Sequence, residues 1–249
     1  MRLDVYLTEN KLCKSRSAAQ SLINNGGVLV NGKPAEKNSQ DVTEADGISL
    51  VETMLPKYVG RGGLKLERAL ERWAIDLSGK LCVDIGASTG GFTDCMLQSG
   101  ATKVFAVDVG REQLDEKLRS DSRVVSLEQT DIRDFSLPEE PADFVCADVS
   151  FISLKLILPH VYRLLKSGGT AVALIKPQFE VGRQNLNKKG IVRSESTRQK
   201  CVKDIEEFAV LCGFSHIGTE ISPITGGDGN AEFLLALKKA SEKATNNAR

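Results

Sequence analysis

Three charged side chains stand where a regular element meets a loop, and their types suit the removal of a proton from a weak nucleophile. Lys65 falls in the first turn of a helix that follows Gly60, Gly62 and Gly63. Asp148 ends the apolar run Phe144-Val145-Cys146-Ala147, and Lys176 ends the run 171–175. A lysine and an aspartate at strand ends suit a hydroxyl acceptor, such as the 2′-hydroxyl of a ribose. A hydroxyl attacks poorly unless its proton leaves during the attack. A neutral lysine can take that proton if its pKa is lowered, and a second cation nearby lowers it. Lys176 is the expected base, Lys65 the expected second cation, and Asp148 the group that orients Lys176. A cation in the first turn of a helix opposes the helix dipole, so Lys65 is out of place unless it serves a site.

A second group of residues reads as a cofactor loop. The run 81–85, which contains Asp84, ends in Gly86-Ala87-Ser88-Thr89-Gly90-Gly91-Phe92. Gly86, Gly90 and Gly91 let backbone approach a ligand closely, and Ser88 and Phe92 belong to the same loop. Asp108 lies 22 residues after Gly86, at the end of the next strand, where an acid accepts from ribose hydroxyls. Asp131, in Thr130-Asp131-Ile132, could accept from an adenine amino group. A nicotinamide fold would carry G-x-G-x-x-G, and a P-loop would carry G-K-[ST]; this loop reads G-x-x-x-G-G. The pattern suits a cofactor with a ribose and an adenine but no phosphate, namely S-adenosylmethionine, with Asp148 also facing the sulfonium methyl. The D/N-P-P-Y/F of N6-adenine methyltransferases is absent, since Asp148-Val149-Ser150-Phe151 stands there. Cys146 lies inside a strand, so it does not qualify as the nucleophile of a cytosine C5 enzyme.

The elements that must position these residues alternate. Strands are expected at 81–85, 103–107, 124–127, 144–147, 171–175, 216–220 and 233–237. The helix that carries Lys65 sets Leu66, Ala69, Leu70 and Trp73 on one face, and further helices fit at 93–99, 111–119, 153–166 and 195–213. This is the pattern of an α/β, doubly wound, Rossmann-like sheet, whose ligands bind beyond the carboxyl ends of the strands. Pro56 and the glycines mark 56–63 as a linker, ahead of a large domain over 64–240 and a polar tail over 241–249. A glycine-rich loop, Thr225 to Gly229, feeds the last strand, and Glu232 stands at its start.

Residues 1–55 read as a separate small module. A short helical or extended stretch starts at Leu3. A helix follows, with Ser15 or Ser17 as its cap and its apolar residues at 18, 19, 22 and 23. Asn31-Gly32 signals a tight hairpin after Val28-Leu29-Val30, with the strand returning near Val42 and another at 48–51. A capped helix start suits a phosphate, and Lys14 and Arg16 at that start are unfavourable without an anion nearby. The string R-L-D-x-x-L, then S-R-S-x-A-x-x-L-I-x-x-G-x-V-x-V-N-G, resembles the S4 RNA-binding domain. That resemblance implies RNA contacts at Lys11, Lys14, Arg16, Gln20 and Lys33, mostly to phosphate and RNA shape; Arg61 in the linker is added as a further RNA contact.

The whole chain has 249 residues, 41% hydrophobic, with 33 Lys and Arg against 33 Asp and Glu. That neutrality conceals a sorting along the chain. The net charge is +3 over 1–33, −3 over 34–60, +2 over 61–80, −8 over 81–150 and +6 over 151–249. The acidic stretch is expected to surround a sulfonium, although Glu112, Asp115, Glu116 and Glu139 read as solvated surface. The basic stretches are expected to form one RNA track, so that binding weakens with salt. Nothing approaches a membrane span, and the first residues lack an apolar signal region. Six cysteines without a C-x-x-C pair suit a reducing cytoplasm, and two histidines far apart offer no metal site.

The order Lys65, Asp148, Lys176, Glu232 is similar to the K-D-K-E tetrad of FtsJ-like 2′-O-ribose methyltransferases. Together with R-G-G-x-K-L at 61–66, D-I-G-A-S-T-G-G-F-T-D at 84–94, A-D-V-S-F-I-S-L at 147–154, K-P-Q-F-E at 176–180 and G-N-x-E-F-L at 229–234, the chain resembles the TlyA (hemolysin A) family. The resemblance implies a catalytic Glu232 and methylation of a cytidine 2′-hydroxyl in ribosomal RNA. Gly60 departs from the serine often found there. The start directly at the S4-like module resembles the shorter subtype, which modifies only the large-subunit intersubunit-bridge hairpin. Rival readings are a membrane-active cytolysin and a non-catalytic module that binds RNA and cofactor.

Overall fold

The structure, a computed structural model, describes residues 1–138 and 140–241. Glu139 and residues 242–249 of the expected tail lie outside the described residues. Two compact units divide between Lys57 and Tyr58.

In the first unit, helices α1 (Leu3–Glu9) and α2 (Arg16–Asn24) accompany strands β1 (Val28–Val30), β2 (Lys33–Pro34) and β3 (Ile48–Leu50). The strands form an antiparallel sheet in the order β2-β1-β3. Ser15, not Ser17, caps α2, its Oγ accepting from Ala18 N at 3.2 Å. Asn31 (φ 52°) and Gly32 (φ 77°) make a two-residue turn between paired Val30 and Lys33. The positive φ at both positions matches the twist of the flanking strands. The returning strand is shorter than expected and does not reach Val42. Pro34 has no N–H to continue the ladder, and Val42 instead buries into the core beside an Arg2–Asp41 bridge. That core consists of Leu3, Leu7, Ala19, Leu22, Ile23, Val28, Val30 and Val42.

The second unit is built on seven strands: β4 (Leu81–Ile85), β5 (Lys103–Val107), β6 (Val124–Leu127), β7 (Ala142–Ala147), β8 (Leu165–Ile175), β9 (Phe214–Ile221) and β10 (Phe233–Lys239). Their order is β6-β5-β4-β7-β8-β10-β9. The first five are parallel, and β10 runs antiparallel to both β8 and β9. The helices are α3 (Gly62–Arg72), α4 (Gly91–Gln98), α5 (Glu116–Arg119), α6 (Leu158–Leu164), α7 (Pro177–Glu180) and α8 (Glu195–Leu211). The period-2 alternation of strand side chains sends them to two layers. Val83, Ile85 and Val145 pack with Leu158 and Val161 of α6 and Ile205 of α8. Cys82, Val104 and Phe144 pack with Leu66 and Ala69 of α3 and Cys95 and Met96 of α4. Both faces of the sheet are therefore covered, and the fold is a doubly wound α/β sheet. No helix among the described residues is long and apolar enough to cross a membrane.

Two helices differ from expectation. The span expected at 111–119 is helical only over α5, because the Glu128 carboxylate accepts from the backbone N–H groups of Glu112, Gln113 and Leu114. Those donors leave the ladder for a carboxylate, and Glu112 takes φ 52°. The span expected at 153–166 is a 3-10 turn over Leu154–Leu156 followed by α6. Leu165 already belongs to β8.

Candidate active site

The topology gathers the four tetrad side chains at one edge of the sheet. Asp148 and Lys176 follow the carboxyl ends of neighbouring parallel strands β7 and β8. Since β10 is antiparallel, its first residue, Phe233, pairs with Ile175 at the end of β8. Glu232, which comes before its strand, therefore reaches the same edge as residues that come after theirs. Lys65 is supplied by the first turn of α3, which packs over this part of the sheet.

The four form a chain of alternating charge. Lys65 Nζ donates to Glu232 Oε2 at 2.6 Å and lies 3.7 Å from Asp148 Oδ2. Lys176 Nζ lies 2.5 Å from Asp148 Oδ1, without the alignment of a hydrogen bond, and donates to Ser150 Oγ at 3.0 Å. Lys65, Lys176 and Glu232 are 8%, 9% and 3% exposed. Two lysines are almost never buried unless paired, and here each has its carboxylate. The arrangement corrects one expectation. Lys65 does not face Lys176 directly, because Asp148 stands between the two ammoniums.

These residues line a cavity of about 360 Å³ together with Arg61, Gly86, Ser88, Gly91 and Phe92. That volume is at the low end of small-molecule sites. Gly86 has φ 82°, and a Cβ there would lie 2.6 Å from the Asp148 carbonyl oxygen. Glycine is thus what allows the cofactor loop to run against the β7 loop. A Cβ at Gly91 would lie 2.9 Å from the Gly60 carbonyl oxygen, so α4 starts in contact with the segment before α3. That segment is pinned where Val59 N donates to Asp94 Oδ2 at 2.8 Å.

Other expected cofactor residues do not line the cavity. Asp84 has the same strand parity as Cys82, so it points into the α3–α4 layer and is 0% exposed. There it accepts from Thr93 Oγ1 at 2.7 Å and meets Cys146. Burial pushes its carboxyl up to about 7. Asp84 supports the loop from behind and offers no surface to a ligand. Gly90 serves packing, since a Cβ on it would lie 2.3 Å from Leu118. Asp108 is tied to the loop, accepting from Ser88 N and Gly110 N at 2.7 Å each. Each of its oxygens keeps a lone pair for a further donor. Asp131 is taken up by Arg133, whose guanidinium and backbone N–H hold its carboxyl down at about 2. The acidic surround expected from 81–150 narrows, among the described residues, to Asp148 at the cavity wall. The other charged members of the cavity are Arg61, Lys65, Lys176, Asp228 and Glu232.

Phe151 also lines the cavity. The residue is 90% exposed, its backbone has φ 64°, and its ring packs against Phe179 at a centroid distance of 4.9 Å. A bulky residue in the left-handed region is a true outlier, and such strain clusters at functional sites. No sequence signal announces it, because an aromatic after a strand normally reads as core. The cysteines match their reading in part. Cys82, Cys95, Cys146 and Cys201 are buried, whereas Cys13 and Cys212 are half-buried. Burial raises the Cys146 thiol well above its ordinary value, which is the opposite of an activated nucleophile.

A family model for FtsJ-like methyltransferases matches residues 58–239. The chain belongs to the FtsJ-like methyltransferase family. A model for the S4 domain matches residues 1–48. The chain is 47% identical over 244 residues to YqxC of Bacillus subtilis, covering 95% of this chain and 85% of that protein. It is 39% identical over 246 residues to the 16S/23S rRNA (cytidine-2′-O)-methyltransferase TlyA of Mycobacterium tuberculosis, covering 98% of this chain and 91% of that protein. A solved structure from Streptococcus thermophilus has a TM-score of 0.74 and 44% identity, covering 96% of this chain and 88% of that one.

In the S4 unit of this FtsJ-like methyltransferase, Lys11, Lys14, Arg16 and Lys33 are exposed and Gln20 is half-buried. Arg16 and Gln20 are joined through a carboxylate. Asp4, 0% exposed, accepts from Arg2, from Arg16 Nε at 2.9 Å and from Gln20 Nε2 at 2.8 Å. Arg2, with help from Gln20 and Arg16, holds the Asp4 carboxyl well below the usual range. The anion expected near Arg16 is therefore supplied by the protein itself.

Proposed function

We propose that the protein transfers a methyl group from S-adenosylmethionine to the 2′-hydroxyl of a cytidine in ribosomal RNA, with the S4 unit holding the RNA. The observation that carries this reading is the Glu232–Lys65–Asp148–Lys176 chain at the carboxyl edge of the sheet, in a family of methyltransferases. The (cytidine-2′-O)-methyltransferase relative supports the nucleotide and the RNA class.

The residues present fit the cofactor. A glycine loop, a carboxylate and the apolar Phe92 line one cavity, and Asp108 stands just behind Ser88. When bound, S-adenosylmethionine supplies an electrophilic methyl group. Asp148 would face its cationic sulfur while holding Lys176. Lys176, in its neutral form, would accept the 2′-hydroxyl proton as the new oxygen–carbon bond forms. Glu232 keeps Lys65 in place, and Lys65 neutralises the far oxygen of Asp148. Holding hydroxyl and methyl in line contributes most of the acceleration, since well-oriented pairs gain roughly 7–11 kcal/mol. Phe151 offers a face for a base turned out of its stack, the usual mode for reading unpaired RNA.

The test is radiolabelled methyl transfer to isolated small and large ribosomal subunits, followed by mapping of the modified ribose. Label on a cytidine 2′-oxygen is the expected result, and mapping decides between large-subunit and dual modification. No label on any ribosomal RNA overturns the proposal.

A further inference from the structure

Gln178 lies two residues beyond Lys176, in α7, and lines the same cavity. Its Oε1 is buried and has no hydrogen-bond partner among the described residues. Buried polar atoms are nearly always paired, and an unpaired one is costly. Its neighbours follow the rule. Lys176 donates to Ser150, and Glu180 accepts from Ser153 Oγ at 2.6 Å and Leu154 N at 2.8 Å. Asp148 Oδ1, also without a hydrogen bond, has the Lys176 ammonium at 2.5 Å, whereas Gln178 Oε1 has neither, and its side chain lines the cavity.

The strand order places it away from the cofactor end. The glycine loop follows β4 and Asp108 ends β5, whereas α7 follows β8, two strands from β4 in the opposite direction. The next residue, Phe179, carries the aromatic pair with Phe151. A nucleobase entering beside these rings meets an unpaired acceptor in Gln178. A carboxamide oxygen accepts from an amino group. Cytosine presents its 4-amino group where uracil presents a carbonyl oxygen, so the carboxamide oxygen pairs with cytosine as it stands, whereas uracil requires the carboxamide to turn and present its NH2.

We propose that Gln178 Oε1 accepts a hydrogen bond from the exocyclic amino group of the nucleobase whose ribose is methylated, and so selects cytidine over uridine. This rests on the proposed function, which fixes the acceptor as a ribose but not what reads its base. A site built to bond a polar group discriminates strongly against the analogue that lacks it.

The experiment uses the full chain and RNA fragments carrying the mapped nucleotide as cytidine or as uridine. It compares kcat/KM for the wild type, Gln178→Met and Gln178→Glu, with S-adenosylmethionine affinity measured in parallel by calorimetry. Gln178→Met is expected to lower kcat/KM for cytidine by about 10- to 100-fold, leave the uridine reaction little changed and erase the preference. Gln178→Glu, an acceptor only, is expected to keep the preference. Cofactor affinity is expected to stay unchanged in both. A Gln178→Met enzyme that retains the cytidine rate and preference overturns the assignment while leaving the methyltransferase reading intact. So does a loss of cofactor affinity, which would move the carboxamide to the cofactor. A wild type that methylates neither RNA fails at the level of the proposed function.

Discussion

Lys176 and Asp84 show how burial divides the labour among charged residues. Lys176 is nearly enclosed, paired to Asp148 and open to the cavity on its remaining side. Replacing it with alanine removes the proton acceptor, so kcat for methyl transfer is expected to fall by about 10²- to 10⁴-fold. Cofactor binding, followed by calorimetry, should change little, and full transfer by Lys176→Ala would remove the base from the mechanism. Asp84 has no cation partner among the described residues, and burial favours its protonated form. Between the ordinary carboxyl value of 3.8 and about 7, the folded chain holds a proton that the unfolded chain has lost. Stability of the second unit is therefore expected to fall as pH rises through that window and to level off above it. In Asp84→Asn that slope should flatten, as measured by denaturant unfolding at stepped pH. Asp4 has the opposite sign. Its depressed carboxyl stabilises the S4 unit above the usual carboxylate range, and that contribution is lost on acidification.

At the scale of elements, the site depends on backbone approaching backbone. Gly86 combines φ 82° with a Cβ position 2.6 Å from a β7-loop carbonyl oxygen. Gly79 has φ 71° but nothing within 4 Å of its Cβ position. Gly79→Ala should cost only left-handed strain, about 1–2 kcal/mol, with transfer activity retained. Gly86→Ala adds a collision that only a shift of the loop or of Asp148 can relieve. It is expected to cost a further ~1–3 kcal/mol and to lower both cofactor affinity and transfer. Equal effects of the two substitutions, in unfolding and in activity, would show that the close approach does not matter. The antiparallel β10 is the other decisive element. A parallel strand in its place would have put Glu232 at the far edge of the sheet, away from Lys65.

Over the whole molecule, a net charge of zero coexists with charge sorted along the chain. The four lysine and arginine positions expected to meet RNA in the S4 unit are exposed, and the stretch 151–200 carries a net charge of +8. RNA binding by lysine and arginine releases counterions, so log affinity should fall linearly with log salt. Each phosphate neutralised contributes a slope of about −0.7 to −0.9. A slope of several units is expected from filter binding between low and physiological salt, despite the neutral total. A flat response would mean that the basic residues do not touch the backbone of the RNA.

The places of the seven sheet strands along the chain were legible in the residues, because short apolar runs bounded by glycine and charged residues report buried strands. So were the places of Lys65, Asp148 and Lys176 at element boundaries, Lys65 with a charge that opposes its helix, while Glu232 joined them only through the family resemblance. The roles of four residues were not. Asp84, one of the expected cofactor residues, turned away from the cavity because strand parity and sheet layering decide which face a side chain takes. Asp131 was already held by Arg133, a pairing that depends on rotamers rather than on spacing. Phe151 and Gln178 came to the cavity through a left-handed backbone and an unpaired buried oxygen, which exist only once the chain is folded. The sequence by itself determined which residues stand at the ends of strands. Only the tertiary structure decided which of those ends face one another, because an antiparallel neighbour, a layer choice and a local ion pair are set by contacts between segments far apart in the chain.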